Sequence, residues 1–366
     1  MHKLTRKIYI SILTFVFLLF TVVATTYSWV GILTYSSIED FNLNIKTSKT
    51  KDYSLLISGF DEVYGEYVSK TTIQKNILAN MYGFDNVKNV VESSDESYIN
   101  YNFNRMAGLA PVTTYVNSDL LLDTFYEMPN LANGNTNFEK SNKYFKFDLF
   151  FIIDPINDSN NKDTFIDSNL LISNLTESMV GTKSTGTLIS GNPFISNPST
   201  KYEILNSIPN AFTIDSSYAS RLAIQIFEPI EIESSYEQNQ LPTNTYIFYN
   251  GTIEPSCNEN IYNLGGILPE ENNFAIQQIN KIYNVDLKID NKYKDRMEYS
   301  TQIGEKYIRK KNDNSKSYFG IKNGIKTKIK ISVYFWFEGW DADCIEFIDM
   351  KKVLINLNFA IDSNEN

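Results

Sequence analysis

From residue 40 onward the apolar residues recur at every second position, and this period constrains the fold more than any other feature of the chain. Phe41, Leu43 and Ile45 alternate with Asn42, Asn44 and Lys46. Leu55 and Ile57 alternate with Ser54 and Ser58. Phe145, Phe147, Leu149, Phe151 and Ile153 share one face, with Lys146 and Asp148 on the other. The pattern returns at Leu222, Ile224 and Ile226, at Val285, Leu287 and Ile289, at Ile329, Ile331, Val333, Phe335 and Phe337, and at Val353, Ile355, Leu357 and Phe359. A period of two marks strands with one buried face, the usual pattern of an antiparallel sheet. The spread of such strands predicts a mainly β fold, a β-sandwich with short helical and loop insertions. Helical spacing occurs at Thr72 to Asn80 and at Asn273 to Tyr283. Both segments are short and need a sheet to pack on. The strongest strands lie at the two ends of the body and could pair as neighbours, which favours one sandwich over a second domain starting near residue 200.

The N-terminus follows a different rule. Lys3, Arg6 and Lys7 precede a segment without charge from Ile8 to Ile38, and Glu39 and Asp40 follow it. A helix over Ile8 to Leu33 would be roughly 39 Å long, enough to cross a ~30 Å hydrocarbon core with some tilt. Tyr27 and Trp29 sit where an interfacial aromatic belt belongs. Cations before the segment place residues 1–7 inside as a cytoplasmic tip, residues 8–34 in the lipid bilayer as a transmembrane anchor, and residues 35–366 outside. The competing reading is a cleaved signal peptide and a secreted body, with Ala24 and Thr26 loosely meeting the small-residue requirement. A buried core helix would not run so long behind a basic tip.

Composition narrows the chemistry. The net charge is -10, and removing the three basic residues of the tip leaves the rest more acidic still. Nucleic-acid binding is driven by basic side chains, so no nucleic-acid partner is expected. The single His, His2, precludes a Ser-His-Asp or Cys-His nucleophile in the body and nearly all zinc sites. No G-x-S-x-G elbow, P-loop or G-x-G-x-x-G is present. Lys183-Ser184-Thr185-Gly186 has one residue too many for a K-T-G element and reads as a turn.

Three candidate sites remain. Tyr334, Trp336 and Trp340 could stack on sugar rings as a glycan-binding surface, or pack across strands as most sheet aromatics do. Glu338, Asp341 and Asp343 could hold Ca²⁺ through hard oxygen ligands, or solvate a turn. The Asn/Asp-rich run from Asp154 to Asp163 misses the EF-hand order and its central Gly. Otherwise no cofactor is expected. Cys257 and Cys344 could pair in an oxidising compartment or remain free thiols. A hydrolase using two carboxylates would need a facing pair that sequence cannot locate, and no enzyme activity is expected. Asn157, Asn174 and Asn250 head glycosylation sequons that act only in a eukaryotic secretory route.

The element T-Y-S-W-V after the hydrophobic run resembles the T-Y-A-W-F-like end of signals on low-GC Gram-positive surface proteins, with Ser28 and Val30 departing. FNLNIKTSKTKDYSLLISGFD resembles the opening strand pair of that class, and VYFWFEGWDADC followed by VLINLNFAI its closing strands. The class these ends resemble is that of secreted matrix proteins of the TasA/camelysin type, which carry a SipW-processed signal. The resemblance covers the two ends and implies a jelly-roll-like antiparallel β-sandwich. It also implies self-assembly in which an N-terminal strand is donated to a neighbour. A camelysin-like protease activity would need zinc ligands, and the only His lies in the tip. Together these readings lead to an expected membrane-anchored cell-surface protein with a structural or adhesive role.

Overall fold

The computed structural model describes residues 40–47, 53–122, 124–127, 137–155, 168–172, 188–191, 193–196, 212–215, 220–237, 239–249, 286, 288, 300–302, 306–307, 320–322, 325–339 and 352–363. In chain order the strands are β1 (Asp40–Thr47), β2 (Tyr53–Ser58), β3 (Tyr67–Val68), β4 (Pro111–Thr113), β5 (Tyr126–Glu127), β6 (Glu139–Lys140), β7 (Phe145–Pro155), β8 (Ser168–Ile172), β9 (Leu188–Gly191) and β10 (Pro193–Ser196). They continue with β11 (Phe212–Asp215), β12 (Ser220–Ile226), β13 (Ile230–Glu231), β14 (Asn244–Tyr249), β15 (Ser300–Gln302), β16 (Lys306–Tyr307), β17 (Ile321–Lys322), β18 (Ile325–Glu338) and β19 (Lys352–Ser363). Three helices, α1 (Lys70–Tyr82), α2 (Phe84–Val91) and α3 (Glu96–Met106), follow one another between β3 and β4. The protein is mainly β, with mixed sheets and few helices.

The larger sheet is built around β18. On one side β18 pairs with β12 from Ile331 to Phe337 and with β13 at Thr327 and Lys328. On the other it pairs with β7 from Lys328 to Phe335 and with β4 at Phe337 and Glu338. β2 extends the sheet beyond β7. The smaller sheet runs β16-β8-β19-β1-β3, with β9 also on β19. Most ladders are antiparallel, but β1 with β19, β14 with β15 and β4 with β18 are parallel. This corrects the expectation of a wholly antiparallel fold. Alternation reports which face of a strand is buried; it carries no information on strand direction.

The buried face is the one the alternation marks. Ile329, Ile331, Val333, Phe335 and Phe337 of β18 are buried, with the odd-numbered apolar residues of β7 from Phe145 to Ile153 and Leu222, Ile224 and Ile226 of β12. These residues form one apolar cluster with Ile45, Ile355, Leu357 and Phe359 of the smaller sheet. Each buried aliphatic or aromatic side chain contributes about 1.5–3 kcal/mol relative to exposure. The helices close the same cluster with Ile73, Ile77, Leu78, Val87, Val90, Ile99 and Phe103. Ser69 caps α1 by accepting from the Thr72 N–H, and Gly83, at φ 80°, ends it by donating to the Ala79 carbonyl. Asp95 caps α3 by accepting from Ser97 and Tyr98.

The helix expected over Thr72 to Asn80 lies within α1; α2 and α3 were not expected. Of the strand expected over Val285 to Ile289 only Asp286 and Lys288 are described, outside regular structure. The helix expected over Asn273 to Tyr283, the boundary near residue 200 and the leader all lie outside the described residues. Among the described residues no helix is long and apolar enough to cross a membrane.

Candidate functional site

Because the odd-numbered residues of β18 face the core, its even-numbered residues form a row on the opposite face: Lys326, Lys328, Lys330, Ser332, Tyr334, Trp336 and Glu338. This row carries three ion pairs and two rings of an aromatic cluster. One half is ionic and the other aromatic.

In the ionic half each lysine meets an aspartate. Lys326 lies 2.9 Å from Asp154, with both side chains about half exposed. Lys330 lies 3.0 Å from Asp148, and the Ser332 hydroxyl donates to the same carboxylate at 2.5 Å. Lys328 contacts Asp61, and its side chain is only 4% exposed. Asp61 sits at φ 60° in the turn after β2 and also accepts the hydroxyl proton of Tyr64. Burial, reinforced by that hydrogen bond, raises the Tyr64 phenol well above its ordinary value. Lys330 Nζ lies 4.9 Å from the centre of the Phe227 ring and 5.9 Å from that of Phe150, a double cation–π arrangement.

Between β12 and β13 the ladder along β18 is interrupted, and the Tyr236 hydroxyl fills the gap. It accepts the Lys330 N–H at 2.9 Å and lies within donating distance of the carbonyls of Glu228 and Lys328, at 2.9 and 3.1 Å. The Tyr236 ring packs edge-on against Phe227 and tilted against Phe150. Side chains from β7, the turn after β2 and the loop carrying Tyr236 thus converge on one strand, and the three aspartates neutralise its row of lysines.

In the aromatic half, Trp336 is fully buried and Tyr334 is 7% exposed. The segment from β4 to β5 lies over them. Phe125 stacks on Tyr144 with ring centres 3.7 Å apart and meets Trp336 edge-on at 5.4 Å. Tyr334 lies parallel to both Phe125 and Tyr144. Val112, Ala223 and Ile247 complete this second apolar cluster. The covering segment is pinned through the Leu120 carbonyl, which accepts from Gln225 Nε2 at 3.1 Å and from the Thr245 hydroxyl. Leu120 holds φ 61°, an unusual backbone for a branched residue. The Trp336 indole donates to Glu338 Oε2 at 3.1 Å, and Glu338 is itself fully buried.

These positions correct the glycan-stacking expectation for Tyr334 and Trp336. Their rings lie under Phe125, Tyr144 and the β4–β5 segment, so they cannot meet a sugar in this arrangement. Glu338 is engaged by the Trp336 indole beneath the surface. Among the described residues no three His, Cys, Asp or Glu side chains gather closely enough to hold a metal ion. Trp340, Asp341, Asp343, Cys257 and Cys344 lie outside the described residues.

The groups that the sequence reading missed are Asp61, Asp148 and the three lysines. Their signal is the run Lys326-Thr327-Lys328-Ile329-Lys330, in which cations alternate with the buried face. Such a run reads locally as a solvated face. Only the fold reveals that β7 and the turn after β2, both distant in sequence, bring it aspartates. Chemically, the row acts as a clamp: opposite charges, the Ser332 and Tyr236 hydroxyls and the cation–π contacts of Lys330 tie β7, the turn after β2 and the β12–β14 loops to the central strand.

Comparison with protein-family models, with curated proteins and with solved structures finds no match to this chain.

Proposed function

We propose that the protein is held at the cell membrane by residues 8–34 and displays its β body outside as a structural or adhesive surface element. The carrying observation is the immediate succession of leader and sheet. The uncharged segment ends at Ile38, and Asp40 is already the first residue of β1. At most ~3.6 Å per residue of extended chain separates the end of the membrane segment from the sheet, so the body stands close to the bilayer. Its acidic balance suits a face that stays off anionic lipid.

The finer fold proposed is a jelly-roll-like sandwich, the two sheets facing each other across the shared apolar cluster. The resemblance to secreted matrix proteins of the TasA/camelysin type supports it, as does the pairing of the two ends of the body through β1 and β19. Assembly by strand donation would require β1 to leave its own sheet first.

The test is protease shaving of intact cells producing the chain with a tag at each end. The expected result is loss of the C-terminal tag and retention of a short N-terminal fragment in the membrane fraction. A C-terminal tag protected in intact cells, on a protein found in the soluble lysate, overturns the proposal. Release of an intact body into the medium overturns the anchor and leaves a secreted protein.

A further inference from the structure

We propose that β1 and β19 form a tension-carrying clasp, so that pulling on the leader shears the body's terminal strands instead of peeling them apart. The inference rests on the anchored reading only for the origin of the pull. The geometry itself is fixed by the ladder. β1 and β19 run parallel in an unbroken register from Asp40 opposite Lys352 to Thr47 opposite Phe359. In a parallel pair the N-terminus of one strand and the C-terminus of the other lie at opposite ends of the ladder. Tension entering at Asp40 and leaving beyond Ser363 therefore acts along the strand axis, in opposite directions on the two strands. All the ladder hydrogen bonds then carry the load together. An antiparallel pair joined in the same way would open one bond at a time.

The surroundings fit that role. β19 is held on its other side along much of its length, by β9 from Val353 to Asn356 and by β8 from Phe359 to Ser363. β1 is the strand that slips. Its far end is pinned twice: the Thr47 hydroxyl donates to the Leu55 carbonyl at 2.6 Å, and the Thr47 N–H donates to the Glu66 carbonyl at 3.0 Å. Ile45, opposite Leu357, is buried in the core, so sliding by one residue would turn its side chain to the other face. Register loss is thus opposed by apolar burial as well as by hydrogen bonds.

Single-molecule pulling on the full chain in detergent micelles tests this, with the N-terminal tag held in every case. In one arm the second handle is at the C-terminus; in the other it is a click handle at position 352, which lies at the same end of the ladder as Asp40. The expected result is a rupture force several-fold higher from the C-terminus than from position 352. Thr47→Val should lower the force in the first arm while leaving the far-ultraviolet circular dichroism unchanged. Equal forces in the two arms, or a higher force from position 352, overturn the clasp. Failure of the anchored reading is seen separately, in the shaving experiment, because the pulling comparison does not depend on where the protein resides.

Discussion

The side-chain amide of Asn76 pairs with the backbone of Asp148 as a neighbouring strand would. Asn76 Nδ2 donates to the Asp148 carbonyl at 3.1 Å, and Asn76 Oδ1 accepts the Asp148 N–H at 2.9 Å. The contact lies just past the end of β2, whose last pair with β7 is Ser58 with Phe150. A helix side chain thus continues the ladder where the strand stops. The same amide nitrogen also donates to the Gly59 carbonyl, and Asn80 donates to Asn76 Oδ1 at 2.8 Å. Asn76 is buried. Asn76→Ala should therefore cost about 3 kcal/mol, because it leaves buried backbone groups unpaired. Asn76→Asp should cost more at neutral pH, since a carboxylate oxygen would face two carbonyls. Part of that loss should return as pH falls toward about 4, because the buried carboxyl takes up a proton it can donate before the unfolded chain does. Urea unfolding of the three proteins, with the Asp variant also measured at low pH, checks the order; an Asp variant as stable as the parent at neutral pH contradicts it.

The Lys328–Asp61 and Lys326–Asp154 pairs of the lysine row should differ in worth. Asp61→Ala strands the nearly buried Lys328 ammonium, and a loss of about 2–3 kcal/mol is expected, tempered by the 21% exposure of the Asp61 side chain. Adding Lys328→Met should recover much of it, because the uncompensated charge goes with its partner. Lys326→Ala breaks a pair that water already screens and should cost less than about 1 kcal/mol. A double-mutant cycle on Lys328 and Asp61 measures the coupling, and similar losses for Asp61→Ala and Lys326→Ala would contradict the burial argument.

Tyr236→Phe keeps the ring against Phe227 and Phe150 but removes the hydroxyl that fills the gap beside Lys330. The Lys330 N–H then lacks its 2.9 Å acceptor. A loss of about 1–3 kcal/mol is expected, together with faster amide exchange at Lys330. Unchanged exchange at that amide would show that another acceptor takes over.

What the chain discloses in advance follows from what local period can encode. The buried face of β18 is legible because Ile329 to Phe337 alternate strictly, and so is that of β7. The other face is not. Lys328 and Trp336 stand at positions that alternation assigns to water, and both are buried because residues far away in sequence, Asp61 and Phe125, arrive on top of them. Helix α1 announces itself through Ile73, Ile77 and Leu78. Helix α3 does not, since Ile99 and Phe103 are its only buried residues and Tyr, Asn and Ser surround them. The parallel pairing of β1 with β19 is likewise invisible. Each strand shows its own period, but direction and partner are settled by how the intervening chain crosses the fold.

Alkaline unfolding should report the buried tyrosines. Burial raises the Tyr334 phenol above its ordinary value, with repulsion from the Asp148 carboxylate adding to the effect. Tyr144 and Tyr82 are raised chiefly by burial too. A raised folded-state value means that the native protein keeps a proton that the unfolded chain releases near pH 10. The associated stability is fully present below about pH 10 and is lost as pH climbs from there toward the folded-state value. Tyr334 alone should contribute a slope of about 1.4 kcal/mol per pH unit above that point. Urea midpoints measured at intervals from pH 8 to pH 11.5 should stay level at first and then fall. Tyr334→Phe should lower stability little and make the fall shallower. If the variant and the parent fall in parallel, the Tyr334 hydroxyl is ionising in the folded protein, and the closed aromatic layer under Phe125 is wrong.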